Sequence, residues 1–469
     1  MRGRDLGVLY LLSLLWHVAW ACNTPGPTDW DVSYYFGVAE RIVAGKGATT
    51  DAVWNPAWLP TTLLHPADLH WMPLASRVLV PAVWLADRWG TSAFCAAQLT
   101  ACLCGAGQAV LAALFVVGVG GERRLAWIAG IIAGTGLGFV RFLAVPDSIA
   151  LYGLLAGAAW LCVAQGRPAM AGVASALAAL TRSEGALVGI CVAIGLGLRG
   201  DRRAWMGLFG PLASLLWSLR CQLLVGDGYT ALRSRVFNAS NAEEWIAISD
   251  PIPLGGLARV AILADHAGDL LKTPFAAFAL LLPFVLLSAR GVWEKGAAPV
   301  LYALGMPLLL YGIAPSVAIE GSVFRSSACL VAPLVAIGVV GLSRALLRYH
   351  FLFLPCLYAV LQLLVVMAIG AGSRQFPPPF PDCQVMDAAG VPAGAPILSY
   401  DPIGTSARCG HPGVILAAGA RDVDVLADRY GIRYALTAPA DYDSWTAQED
   451  DFDAEGWVRI EGGRVFRRE

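Results

Sequence analysis

Two aspartates, Asp29 and Asp31, stand in Thr28-Asp29-Trp30-Asp31-Val32-Ser33-Tyr34-Tyr35-Phe36, just beyond the first apolar run. A carboxylate placed there can take the proton of a hydroxyl or amine acceptor. The same pair can instead cap a helix starting near Ser33, because a short side-chain oxygen satisfies free N–H groups of a first turn. Both readings stay open at this stage. Farther along, His65-Pro66-Ala67-Asp68-Leu69-His70-Trp71-Met72-Pro73-Leu74 holds two histidines and an aspartate close together. They suit a metal or a phosphate by type, but their spacing matches no strong ligand motif, so no cofactor is expected and a metal ion stays an unsupported alternative. Asp68 and His70 are kept as candidate substrate contacts. Trp71 and Pro73 mark the start of a helix at headgroup level.

Three arginines complete the candidate set: Arg141, Arg182 in Ala179-Leu180-Thr181-Arg182-Ser183-Glu184-Gly185, and Arg325 in Gly321-Ser322-Val323-Phe324-Arg325-Ser326. A guanidinium fork grips a phosphate through two parallel hydrogen bonds and never loses its charge. For a single arginine an ion pair, such as Arg182 with Glu184 or Arg325 with Glu320, is the better reading. Three on one face favour a phosphate, with Asp147 and Glu184 orienting them.

The elements that must position these groups are apolar. The 469 residues are 57% hydrophobic and 14% charged, against about 25% charged in a soluble domain. A net charge of -1 and the absence of a basic run exclude nucleic acid as a partner. About eleven runs approach the roughly 20 residues of a membrane span. They lie near 6–22, 92–119, 125–144, 148–164, 169–181, 184–198, 204–224, 273–289, 297–315, 326–342 and 351–371. The fifth and sixth are short and read either as a tight hairpin or as one broken helix. Arg2, Arg4, Arg123, Arg124, Arg167, Arg199, Arg202, Arg203, Arg290, Lys295, Arg344 and Arg348 then share one side, the cytoplasm by the positive-inside rule. Residues 23–91, 225–272 and 373–469 fall outside. The first run follows Met1-Arg2-Gly3-Arg4 and ends at Ala19-Trp20-Ala21-Cys22, which resembles a processing site; its length and its bulky tryptophans favour a retained anchor.

The expected fold is therefore an all-α polytopic membrane protein, residues 1–372, with interfacial helices near Tyr34–Val43 and Leu74–Trp89 in the external loop 23–91. A small external α/β domain, 373–469, follows the stiff Phe376-Pro377-Pro378-Pro379. Its strands are expected at Pro396–Tyr400 and Ile432–Thr437, its helix at Asp422–Tyr430, and a closing hairpin at Trp457–Ile460 and Arg464–Phe466. Most of the eleven cysteines lie in apolar runs. Cys383 and Cys409 lie in the external tail, either bridged or as free thiols. Asn238-Ala239-Ser240 is a sequon.

In this order the chain resembles the GT-C superfamily of polyprenyl-phosphate-sugar-dependent glycosyltransferases, near its protein O-mannosyltransferase-like and aminoarabinose-transferase-like members. The resemblance rests on Asp31-Val32-Ser33-Tyr34-Tyr35, Ala39-Glu40-Arg41-Ile42-Val43-Ala44-Gly45, Trp71-Met72-Pro73-Leu74, Thr181-Arg182-Ser183-Glu184-Gly185 and Asp428-Arg429-Tyr430-Gly431-Ile432-Arg433-Tyr434. Val32 stands where the family carries a second acidic residue, which Asp29 would have to replace. The resemblance implies transfer of a hexosyl or pentosyl unit from a polyprenyl-phosphate-linked sugar to a glycan, lipid or protein acceptor outside the plasma membrane. Asp31 would be the base, and Arg182, Arg325 and Arg141 would hold the lipid phosphate. A single displacement would invert the anomeric centre. The alternatives are a flippase for lipid-linked glycans, which favours inverted repeats and mid-membrane charges absent here, and a non-catalytic assembly subunit.

Overall fold

The structure, a computed structural model, describes residues 1–239 apart from 28, 56 and 57, residue 261, 296–310 apart from 308, 323–346, 381–416, 420–439, 456–460 and 464–469. The expected spans 273–289 and 351–371, most of the region after Ala239, and Glu320 lie outside these residues.

Among the described residues, three helical stretches are long and apolar enough to cross a membrane: Ala93–Gly118, Ala204–Val225 and Val323–Ser343. Ser148–Ala164, Pro168–Thr181 and Gly185–Leu198 are apolar but shorter. A 14-residue helix such as Pro168–Thr181 rises about 21 Å, less than the roughly 30 Å of a hydrocarbon core. Eleven full spans are thus not what the described residues show. They form a helical bundle that turns apolar side chains outward. Along α10 (Phe209–Val225), Leu212, Leu215, Leu216, Leu219 and Leu223 are all exposed. Such a face belongs in lipid, where a helix satisfies its own backbone.

Small residues bring the helices together, as in membrane packing generally. Helix α1 (Gly3–Ala21) lies against α4 (Ala93–Gly118) and α5 (Arg123–Gly134), with His17 against Gly105 and Leu9 against Gly130. Ser13 Oγ–H donates to the Gly134 carbonyl at 2.8 Å. Helices α8 (Pro168–Thr181) and α9 (Gly185–Leu198) are separate. The hairpin alternative is therefore the one realised. Its turn is too tight for any side chain at Gly185, where a Cβ would run into the backbone of Ala178 and Ala179.

The expected span at 125–144 is broken. Helix α5 ends at Gly134, Gly136 takes a left-handed φ of 72°, and a short α6 (Val140–Leu143) restarts the chain. Two glycines around Thr135 weaken a helix without lowering its hydropathy, so the break is invisible to an apolar-run count. The break stacks Phe139 on Phe324 with ring centres 4.5 Å apart.

The loops cluster by end. Gly118 approaches Ala164, Gly121 approaches Val340, and Arg199 donates to the Val163 carbonyl. The turns carrying Arg123, Arg124, Arg167 and Arg199 therefore share one end of the bundle. Asp31, Asp147, Arg182 and Arg325 gather at the other.

Over that second end lie α2 (Trp30–Val43), α3 (Leu74–Trp89) and a small sheet domain. Helix α3 exposes Trp84 and Trp89, as an interfacial helix would. Helix α2 departs from that expectation: Val32, Ser33, Tyr34, Tyr35, Phe36, Val38 and Ala39 are all buried. The sheet domain covers it. Beyond the short antiparallel pair β1 (Thr49–Thr50) and β2 (His65–Pro66) of the first loop, strands β3 (Ile397–Ser399), β4 (Gly413–Ile415), β5 (Tyr434–Leu436), β6 (Trp457–Arg459) and β7 (Val465–Arg468) lie in the order β4-β3-β5-β7-β6. Strands β3, β4 and β5 are parallel, and β6 and β7 form the antiparallel hairpin. Strand β4 and the helix Pro402–Cys409 were not anticipated. That helix is capped by Asp401, which accepts from the Gly404 N–H, and starts with Pro402, whose φ suits a first turn. Cys383 and Cys409 are joined in a disulfide.

Candidate functional site

The site begins at the head of α2. Asp29 is its N-cap, accepting from the Val32 N–H at 3.0 Å. Capping is thus realised for Asp29 and not for Asp31. One turn position later, Asp31 looks away from its own helix. Its Oδ1 accepts from the Trp71 indole N–H at 2.6 Å, and its Oδ2 is paired with the Arg325 guanidinium. Arg325 has come from 294 residues away in sequence. Burial pushes the Asp31 carboxyl up, but Arg325 and Arg182 outweigh it and hold the group below the ordinary range. For Asp29 burial wins over Arg325, and its carboxyl is raised.

Arg182 sits in the tight turn between α8 and α9. Its Nη2–H donates to Glu184 at 2.9 Å and its Nη1–H to Ser148 Oγ at 3.1 Å. The local ion pair expected for an isolated arginine is present, but it is not isolated. Ser326 Oγ–H donates to the same Glu184 oxygen at 2.6 Å, which ties the Arg182 turn to the residue after Arg325. The Nε of Arg182 has no hydrogen-bond partner among the described residues.

Asp147 caps α7 (Ser148–Ala164) and accepts from Ser148 Oγ–H at 2.8 Å. Its second oxygen has no hydrogen-bond partner among the described residues. Burial, followed by repulsion from Asp31, pushes its carboxyl up to about 7. Arg141 is exposed on α6, with its guanidinium 5.8 Å from the Phe142 ring; Arg325 lies 5.9 Å from that ring. The helix break after Gly134 thus brings Arg141 to the same ring as Arg325.

Two candidates lie apart from this core. Asp68, with a φ of 63°, pairs with Arg77 at 2.7 Å, and the Trp217 indole N–H donates to its carbonyl at 3.1 Å. It clamps the loop onto α3 and α10. His65 is turned to the Leu63 carbonyl, so His65, Asp68 and His70 do not converge. His70 is closer to the core: its ring lies 5.0 Å from Trp71, and burial lowers it to about 4 with Asp31, Glu184 and Arg182 in its field. No group of three His, Cys, Asp or Glu able to hold a metal comes together among the described residues.

Trp71, Ser148 and Ser326 belong to the core and were not singled out as site residues. Ser148 and Ser326 each follow a candidate by one residue, the sole signal they carry. Two cavities border α2. One is an open cleft between α2 and the Pro402–Cys409 helix, lined by Ser33, Glu40, Lys46 and Ser406. The other is a narrow cleft lined by Trp54, His65 and His70.

No family profile and no curated protein sequence matches the chain. Solved structures do. The apo oligosaccharyltransferase of Archaeoglobus fulgidus superposes over 92% of this chain and 69% of its own, with a TM-score of 0.56 at 11% identity. The chain shares the fold of that archaeal oligosaccharyltransferase. The same enzyme tethered to an acceptor peptide matches over 93% and 69%, with a TM-score of 0.55 at 11% identity. Its complex with an inhibitory peptide and a dolichol-phosphate matches over 91% and 69%, again with a TM-score of 0.55 at 11% identity. The likeness spans both the helical bundle and the sheet domain.

Proposed function

We propose that this protein is a membrane glycosyltransferase that moves a sugar from a polyprenyl-phosphate carrier to an acceptor outside the plasma membrane. The observation that carries the reading is the pairing of Asp31 with Arg325 at the end of the bundle opposite its basic turns. Arg182 and Arg141 stand in the same cluster. The solved neighbour with a dolichol-phosphate, and the one with an acceptor peptide, support a lipid-linked donor and a separate acceptor.

The chemistry follows from an exchange of partners. While Arg325 faces Asp31, the carboxylate is a weak base. An arriving lipid phosphate competes for the guanidiniums of Arg325, Arg182 and Arg141, and Asp31 becomes more basic as it loses its counter-ion. It then takes the acceptor proton as the acceptor oxygen or nitrogen bonds to the anomeric carbon. The bond from that carbon to the phosphate oxygen breaks, and the arginines stabilise the charge arriving on the phosphate. The phosphate leaves as an anion, so no acid is needed, and the anomeric centre inverts. Glu184 and Asp147 orient Arg182 directly and through Ser148.

The test is release of free polyprenyl phosphate from labelled polyprenyl-phosphate sugars by the full chain in lipid nanodiscs, with water as the hydroxyl acceptor that takes the sugar. Asp31→Asn should abolish release while the protein still binds the lipid. Unchanged release by Asp31→Asn would sink the mechanism, and transbilayer movement of an intact lipid-linked sugar would favour the flippase.

A further inference from the structure

We infer that Arg408, carried by the C-terminal sheet domain, is a positioning residue for the carboxylates at the head of α2, so the site is complete only with that domain docked. The inference rests on the function proposed above. Helix α2 meets the Pro402–Cys409 helix at Gly37, where a Cβ would sit 3.3 Å from that of Ala407. This close approach lets Arg408 reach past the crossing, and its Nη2–H donates to Ser33 Oγ at 2.8 Å. Ser33 is fully buried in the first turn of α2, and its backbone N–H donates to the carbonyl of the Asp29 cap. Arg408 therefore holds the turn that aims Asp31, and it lies in the field of Asp29 and Asp401.

The domain is fastened around this contact rather than elsewhere. Val53 of the first loop adds to the edge of β4, its N–H donating to Gly413 and its carbonyl accepting from Ile415, both at 2.8 Å. Asp51 links Arg41 of α2 to Ser406, two residues before Arg408. The disulfide at Cys409 holds the other side of Arg408. A half-buried arginine held between two anchors and aimed at a buried hydroxyl beside the cap fixes a direction; a loose tether would need none of this geometry.

The test measures sugar release from labelled polyprenyl-phosphate sugars by the full chain in nanodiscs for R408Q, R408K, S33A and R408Q/S33A. Misaiming a reacting group by a fraction of an ångström should lower kcat by about tenfold or more in R408Q and S33A, with donor KM within about twofold. R408K should recover most of kcat. The double variant should be no worse than the poorer single one, because both remove one contact. A purely structural fastening would change melting without this kcat pattern. Wild-type kcat in R408Q, a loss confined to KM, or multiplying effects in the double variant would overturn the inference. If R408Q does not fold, S33A decides alone: a tenfold fall supports the inference and an unchanged kcat overturns it. Absence of release by the wild type would instead strike the proposed function itself.

Discussion

Asp31 and Asp68 are both first-loop aspartates paired with an arginine, yet they are built for different purposes. Asp68 takes its arginine from nine residues away, and Tyr34, Trp217 and Cys221 close on its backbone. Nothing about that arrangement leaves it free to exchange partners. Asp31 takes its arginine from another part of the bundle, has its second oxygen aimed by an indole N–H, and shares its neighbourhood with Arg182 and Asp147. A pair whose members come from separate elements can be opened by a ligand without unfolding a loop. Local pairs stabilise; convergent pairs can work.

The sharpest way to break this comparison is to neutralise both. Asp31→Asn should lower sugar release by about 10²–10⁴-fold, the range for losing a proton acceptor, with little change in melting. Asp68→Asn should do the reverse. Its loss removes the charge facing Arg77, but that arginine is 36% exposed and still donates to the Pro73 carbonyl, so the cost should be about 1 kcal/mol. Equal activity losses in the two variants would erase the distinction.

Arg325 probes the other half of the convergent pair. Arg325→Gln should cost about 10²–10³-fold in kcat, and Arg325→Lys should recover only part, since an ammonium lacks the fork. Full recovery by lysine would mean that charge alone matters.

Asp147 sharpens the comparison through pH. Its carboxyl, raised to about 7, holds its proton more tightly in the folded protein than in the unfolded chain. That group therefore contributes stability that falls as pH rises from about 4 through 7. Its ionisation also adds a negative charge beside Asp31, so donor KM should rise above about pH 7. Asp147→Asn should flatten that rise; a KM profile unchanged by the substitution would refute the assignment. The smallest effect belongs to Asp29, whose cap should be worth about 1 kcal/mol in Asp29→Ala, read by melting.

Features with local causes were legible in the sequence. The helix ending before Gly431 and the closing hairpin each depend on a few adjacent residues; for the Asp29 cap and the turn at Thr181–Gly185 such residues narrowed the choice to two readings. The apolar runs at 92–119 and 204–224 were equally plain. The break at Gly134–Gly136 was not, because glycine scores as neutral on hydropathy while undoing a helix. Nor was the separation of His65 from Asp68, since proximity in an irregular loop says little about direction.

What the sequence determined by itself is the apolar surroundings of this protein, the end at which its basic turns gather, and the residue types at the opposite end. Hydropathy and capping are sums over neighbours, so one strand of text contains them. The tertiary structure decided that Arg325 meets Asp31, that Arg141 is swung in by a helix break, and that Arg408 arrives from the far end of the chain. Each depends on how distant helices pack, and packing selects among partners that composition leaves equivalent.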